Sequence, residues 1–415
     1  MNGRLAPLVL TLVVLSAQVS HAQSFGVEVF NNLMPASGGM AGASIALPQD
    51  VQSAINGNPA TLTQYRGTQF GLGGAWIEPT YNLSVADDGL PLLGITPFAD
   101  AKSDAQGIAA PNIGVTQDLS AQGLPITIGL GLIAGSGAGV DFRHIPQANG
   151  THASLVALDI VAGAGVDLTD QLAFGASIAL SNATLDGPFV GITGSSTDYA
   201  LRGSVGLNYA LRPDTNMGLY WRSKTGYTFE NLVGFANLAP GTFFDVSVDR
   251  PQVIGLGIAN TSLMDGRLLL AMDAVYQQYT GTELFGAIFD DQWALQFGTQ
   301  YAVSQRVRLR LGYAWNENPM RDTLGDRIGG IVPPGGADHV RYIEALFAAI
   351  PQHRLTGGVS VRDVLPGVDL DLFAGGMFEQ SQTFGITTAT VESYWVGTGI
   401  TWRFGRGGCP EDDCK

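Results

Sequence analysis

Charged residues are scarce in this sequence. Lysine, arginine, aspartate and glutamate make up 14% of its 415 residues, against roughly 25% in an average soluble domain. Basic residues are the rarer kind, 21 against 36 acidic ones, which gives a formal net charge of −15. Because nucleic-acid binding needs a concentrated positive field, this balance argues against a nucleic-acid partner.

Cysteine is almost absent, and its only two copies, Cys409 and Cys414, lie in the last seven residues. This excludes a scaffold built on disulfides and argues against a structural zinc site of four ligands. The pair could close a small disulfide in an oxidising compartment or bind a stray metal, and we favour the disulfide. We expect no cofactor and no functional metal.

Long apolar runs are also missing, although 45% of the residues are hydrophobic. The run from Leu8 to Leu15 follows Arg4 and precedes Ser20-His21-Ala22, which is typical of a secretory signal peptide over residues 1–22. A membrane anchor would need about 18 apolar residues. Since no run after Ala22 is long enough for a spanning helix, the hydrophobicity must lie in an alternating pattern.

Alternation is plain in the last 120 residues. Apolar side chains occupy every second position over 293–303, 307–315 and 394–404, which predicts strands rather than helices. A soluble sandwich and a membrane barrel both use such strands, but aromatic residues at both ends of the stripe, as at Tyr394 and Trp402, favour the membrane barrel. Ten tilted steps rise roughly 24 Å, close to the apolar band of an outer-membrane barrel.

About fourteen such strands can be traced, joined alternately by tight turns and by long segments such as 85–106 and 318–349. The expected fold is therefore all-β, a transmembrane antiparallel barrel over residues 67–404. Residues 23–66 do not alternate and are rich in small side chains, so we expect a hatch that plugs the lumen. Residues 405–415 would form a periplasmic tail of unknown purpose.

Several motifs of the chain resemble the FadL/TodX family of outer-membrane transporters. Gly38-Gly39-Met40-Ala41-Gly42-Ala43 and Asn58-Pro59-Ala60 are similar to that family's N-terminal hatch. Residues 218–224, Gly-Leu-Tyr-Trp-Arg-Ser-Lys, and 350–354, Ile-Pro-Gln-His-Arg, resemble later barrel segments. The resemblance implies passive uptake of long-chain fatty acids or aromatic hydrocarbons by surface capture, transfer to a lumen pocket and lateral release through the wall.

Candidate residues can be assigned to these steps. Gly135, Gly137 and Gly139 are the candidate wall kink, because alternate glycines weaken a strand; flexible packing around the hatch is the alternative. Ile343, Leu346 and Phe347 share a helical spacing and are the candidate capture surface, unless that helix simply packs on its neighbours. Asn58, Pro59 and Ala60 form the hatch motif.

Arg222 and Lys224 are the candidate partners of a ligand carboxylate, the alternative being pairing with acids in the lumen. A general diffusion porin is the main rival function, and a lipid hydrolase the lesser one. No histidine lies in a recognisable nucleophile motif, so we expect no enzyme. The expected partners are a hydrophobic small molecule or a detergent in its place, outer-membrane lipid and lipopolysaccharide, and the barrel-assembly machinery. We expect a monomer.

Overall fold

The computed structural model describes residues 27–187, 195–234, 243–321 and 337–404. The predicted signal peptide and the tail with Cys409 and Cys414 lie outside the described residues. Within the described ranges, no helix has the length and apolarity needed to cross a membrane.

Fourteen antiparallel strands form a closed barrel, as the alternation predicts, and three further strands lie beyond it. Closure is made by β1 and β17, which pair from Thr68 with Phe404 to Val85 with Thr387. The strands in chain order are β1 Thr68–Val85, β2 Phe98–Lys102, β3 Ile108–Asp118, β4 Ile126–Asp141, β5 His152–Asp167, β6 Leu172–Asp186, β7 Ser195–Arg212, β8 Thr215–Arg222, β9 Thr225–Gly234, β10 Phe243–Arg250, β11 Gln252–Leu263, β12 Leu268–Gln278, β13 Gln292–Ala302, β14 Val307–Asn316, β15 His353–Leu365, β16 Val368–Phe384 and β17 Thr387–Phe404. Strand β2 pairs with the end of β1, beyond the part of β1 that pairs with β3. Strands β9 and β10 form a separate hairpin.

The apolar parity of each strand faces outward. In β17, Tyr394 and Val396 are 58% and 55% exposed, whereas Trp395 between them is 1% exposed. In β14, Leu311 is exposed and Arg310 is buried in the lumen. Hydrophobic residues outside and polar residues inside identify a barrel whose solvent is lipid.

The two rims differ in their connections. Strands β7 and β8 are joined by residues 213–214 and β15 and β16 by residues 366–367, both at one rim. Most connections at the opposite rim are longer, and they carry two short helices, α2 Phe285–Ile288 and α3 Ala337–Leu346. We call these the short-turn rim and the long-loop rim.

Residues 27–66 fill the lumen as a hatch of short turns. They contain the 3-10 turns Ser37–Met40 and Pro59–Gln64 and the helix α1 Val51–Asn56. The side chain of Asp50 caps α1 by accepting from the backbone N–H of Ser53 at 2.7 Å. Nearly every residue of this segment is buried, so the hatch is held by the barrel rather than by a core of its own.

Candidate functional site

The hatch motif joins the hatch to the barrel wall. Asn58 caps its 3-10 turn by accepting from the backbone N–H of Ala60 at 3.1 Å. Its side-chain amide donates to the carbonyl of Ile45 within the hatch and to that of Leu207 on β7, at 3.1 and 2.9 Å. Pro59 occupies the first position of the turn, where its missing N–H costs nothing.

One acidic side chain of the wall and several wall glycines contact the rest of the hatch. Asp273 on β12 accepts from the backbone N–H groups of Ser44 and Ile45 at 2.6 and 3.0 Å. A Cβ atom at Gly298 would lie 2.8 Å from the Cβ of Met40, so only glycine allows this approach. Part of the glycine excess therefore thins the inner wall around the hatch.

A gap interrupts the wall between β3 and β4. These strands pair from Asp118 with Thr127 to Asn112 with Ile133. Within the described residues, no ladder pair joins β3 to residues 134–140, although β4 stays paired with β5 on its other side. The register of β4 against β5 shifts between Ala134 and Ser136, which marks a β-bulge at Gly135. Of the three candidate kink glycines, Gly135 is the bulge, and Gly137 and Gly139 lie along the gap.

The start of the hatch lies behind this gap. The backbone N–H of Val29 donates to the carbonyl of Gly135 at 3.5 Å, and the hydroxyl of Ser136 donates to the carbonyl of Val27. Val27 and Val29 are both buried. The segment therefore supplies hydrogen-bond partners to the part of β4 that β3 leaves unpaired.

Glu28, between those valines, enters a buried charge cluster. Its carboxylate pairs with Arg202 and with Arg250, each at 2.9 Å. Arg250 also pairs with Asp159 at 2.8 Å and donates to the carbonyl of Gly135 at 3.1 Å. Burial raises the pKa of Glu28, but the two guanidinium groups outweigh it and hold the pKa below its ordinary value.

This charge cluster is not predicted by the sequence patterns. Its signal was present, because Asp159 and Arg202 break the small and apolar composition of their strands, and Glu28 is the one charge in its part of the hatch. Alternation alone could not show that these distant residues meet.

An apolar recess lies beside the gap at the long-loop rim. The candidate capture residues Ile343, Leu346 and Phe347 are all buried, and Leu346 and Phe347 line this recess beneath the end of α3. The cavity has a volume of about 10 Å³, enough for about one water molecule. Its lining is Val27, Tyr81, Ala138, Gly139, Phe285, Phe289, Leu346, Phe347, Ala348 and Ala349.

Aromatic rings form part of the lining of the recess. The ring centroid of Phe285 lies 5.4 Å from that of Phe289 and 5.8 Å from that of Phe347, distances typical of favourable aromatic pairs. The hydroxyl of Tyr81 donates to the carbonyl of Ala345 and accepts from the N–H of Ala348. These contacts seat the end of α3 on the barrel and close the recess.

The structure separates the two candidate headgroup residues. Arg222 is buried in the lumen and donates to the carbonyl of Asn56 at the end of α1. Lys224 is half-exposed near the long-loop rim, where its ammonium lies 2.6 Å from the carboxylate of Asp249. One side chain therefore lies in the lumen and the other near the long-loop rim. Among the residues that the structure describes, no cluster of three or more potential ligand side chains is arranged to hold a metal.

Solved structures share this architecture. The chain is similar to the toluene transporter TodX of P. putida (17% identity, 89% of this chain and 98% of that chain, TM-score 0.65). It is also similar to a FadL homologue of Pseudomonas aeruginosa (15% identity, 92% and 100%, TM-score 0.65). A third similar structure is the toluene transporter TbuX of Ralstonia pickettii (16% identity, 91% and 100%, TM-score 0.63).

Residues 153–339 match the model of a family described as outer membrane beta-barrel porin, MtrB/PioB. No match to the chain was found among curated proteins. The resemblance to FadL/TodX proteins is thus confirmed at the level of the fold, and the chain is an outer-membrane β-barrel. Its short-turn rim is then periplasmic and its long-loop rim extracellular.

Proposed function

We propose that this protein is a passive channel for hydrophobic compounds, which it takes from the cell surface and releases sideways into the outer membrane. The observation that carries the proposal is the gap between β3 and β4, with the apolar recess directly beside it. Ala138 and Gly139 line the recess and also belong to the unpaired part of β4. A solute in the recess is therefore next to the opening in the wall.

The hatch would control this route. Val27 lines the recess, and its carbonyl accepts from Ser136 at the gap. A solute can occupy the closed recess only if part of its lining moves, and Val27 is the lining residue that belongs to the hatch. Movement of Val27 would uncover the gap from inside, so loading of the recess and opening of the wall would be coupled.

The lining favours neutral aromatic hydrocarbons over fatty acids. All ten lining side chains are uncharged and three are phenylalanine, so a carboxylate would lose its hydration there without a charged partner. An aromatic solute can instead pack against the rings of Phe285, Phe289 and Phe347, two of which are stacked and the third of which meets Phe285 edge to face. Arg222 and Lys224, the candidate headgroup residues, are not among the residues that line the recess. TodX and TbuX, which share the fold, are toluene transporters, and this supports the choice.

Filling the gap tests the route. Ala138→Trp places a large ring at the gap, and we expect it to lower uptake of labelled toluene by cells at least about fivefold. Ala176→Trp is the matched control, because Ala176 faces outward on β6, which is paired on both sides. The control should keep uptake within about twofold of the unsubstituted chain, as expected for a surface substitution away from such features.

Equal uptake by both variants, measured at equal amounts of folded barrel, would contradict lateral release. A large steady current through the unsubstituted chain in planar bilayers would instead favour the diffusion porin. Faster uptake of a labelled long-chain fatty acid than of toluene would contradict the proposed substrate class. Transport without catalysis agrees with the toluene transporters that share the fold.

A further inference from the structure

A second cavity lies at the opposite, periplasmic end of the lumen. Its volume is about 230 Å³ and it lies between the underside of the hatch, at Pro48 and Tyr65, and strands β14 to β17. We call it the vestibule. Four arginines line it, namely Arg308, Arg310, Arg362 and Arg403. The extracellular recess, by contrast, has no charged residue in its lining.

The three carboxylates in the vestibule are already engaged. Asp371 pairs with Arg310 at 2.7 Å. Asp369 pairs with Arg403 at 2.9 Å and with Arg362 at 3.5 Å. The carboxylate oxygens of Asp50 accept hydrogen bonds from backbone N–H groups of the hatch.

Arg308 is the remaining cation. In the part of the chain that the structure describes, no carboxylate oxygen lies within 4.0 Å of its guanidinium, and its side chain is only partly exposed. Asp369 and Asp371 act on this guanidinium only from a longer distance, and Arg310 and Arg362 repel it. A partly desolvated guanidinium without an ion pair of its own is costly. A carboxylate can satisfy it with two parallel hydrogen bonds.

We propose that the vestibule is a binding site for a carboxylate, with Arg308 as its principal partner. The volume is below the roughly 300 Å³ at which pockets for drug-sized ligands begin, so the site suits a small acid or the end of a larger one. This inference does not depend on the route through the wall, because vestibule and gap lie at different levels of the barrel.

The carboxylate has two possible sources. One is a free acid in the lumen or the periplasm. The other is the chain itself, since Glu411, Asp412 and Asp413 follow Phe404, and Arg403 lines the vestibule. Seven residues span up to about 23 Å when extended, which is enough to return to the cavity.

The experiment uses the purified full chain in an uncharged detergent and measures binding of benzoate by calorimetry, with neutral benzamide as the matched probe. We expect Arg308→Gln to weaken benzoate binding at least about tenfold, because the charge-assisted hydrogen bonds are lost. Arg308→Lys keeps the charge but loses the planar pair of donors, so it should weaken benzoate binding by an intermediate amount, about threefold to tenfold. Arg306→Gln is the control, since Arg306 is exposed in the turn at the same rim.

The possible results distinguish a carboxylate site at Arg308 from the absence of such a site. Unchanged benzoate affinity in Arg308→Gln, an equal loss in Arg306→Gln, or equal binding of benzamide would each overturn the proposal. If Arg308→Gln fails to fold, folded Arg308→Lys takes its place, and a benzoate affinity equal to that of the unsubstituted chain would overturn the proposal.

A tail variant distinguishes the two sources. Glu411→Gln, Asp412→Asn and Asp413→Asn are combined in the full chain. Tighter benzoate binding in this variant, abolished again by Arg308→Gln, shows that the tail competes for the site. Unchanged affinity shows that the vestibule takes a free acid. Both results support the site, and weaker binding in the tail variant would contradict it.

Discussion

The ladder between β5 and β6 differs from the ladder between β3 and β4. Strands β5 and β6 pair without interruption from Ser154 with Asp186 to Asp167 with Ala173. Strands β3 and β4 pair only as far as Asn112 with Ile133. In a bilayer, every unpaired backbone group needs another partner. In the wall formed by β5, β6 and β7, which we call the paired wall, backbone groups bond to the adjacent strand. In the wall between β3 and β4, which we call the open wall, the carbonyl of Gly135 instead accepts from Val29 and Arg250.

The stability of the open wall therefore depends on the hatch and on the charge cluster. A gap in a barrel is tolerated only where protein covers it from inside. Weakening the cover should therefore destabilise the barrel locally at β4 and leave the ladder between β12 and β13 unchanged.

Removing Arg250 should have the largest effect. Arg250→Leu leaves Glu28 and Asp159 buried with one partner fewer, and such a loss costs about 3–5 kcal/mol in the free energy of unfolding. Arg321→Leu is the control, because its pair with Asp290 is exposed and should be worth less than about 1 kcal/mol. Denaturant unfolding in detergent measures both. A similar small loss in both variants would show that the cluster does not support the gap.

Enlarging Gly135 should have an intermediate effect. A Cβ atom there would lie 2.7 Å from the carboxyl carbon of Asp159 and 2.9 Å from Nη2 of Arg250. Gly135→Ala should therefore cost about 1–3 kcal/mol, the usual cost of overpacking. On the paired wall, Gly203→Ala meets open space, so unfolding should change by no more than about 0.5 kcal/mol. Equal costs at the two glycines would contradict a constrained bulge.

Sequence patterns predicted the barrel well because its physics is local. Alternation fixes which face of each strand meets lipid, as at Tyr394 and Trp395, and turn residues mark where strands end. The sequence indicated the gap only through Gly135. A run of glycines indicates weak strand pairing, but it does not show which groups replace the missing strand as hydrogen-bond partners.

The charge cluster and the vestibule were beyond the reach of the sequence, because they join residues from distant strands. Glu28 meets Arg202 and Arg250 across more than 170 positions of the chain. Parity placed Arg308 and Arg310 in the lumen, but it could not show that Asp371 neutralises Arg310 and leaves Arg308 without an ion pair among the described residues. The helical spacing of Ile343 and Leu346 equally fits an exposed face or a packed one, and the structure has them packed.

The smallest predicted effect isolates one hydrogen bond of the open wall. Ser136→Ala removes the donor to the carbonyl of Val27 and should cost about 1 kcal/mol. Because the loss is local, hydrogen exchange at the Val29 amide should become roughly fivefold faster, the equivalent of that free energy. Ser177→Ala on β6 is the control, since Ser177 lies on the fully paired wall and its replacement should leave exchange at Val29 unchanged. If both variants leave the Val29 amide equally protected, the start of the hatch is held at the gap by the charges of Glu28 and Arg250 and not by its backbone contacts with β4.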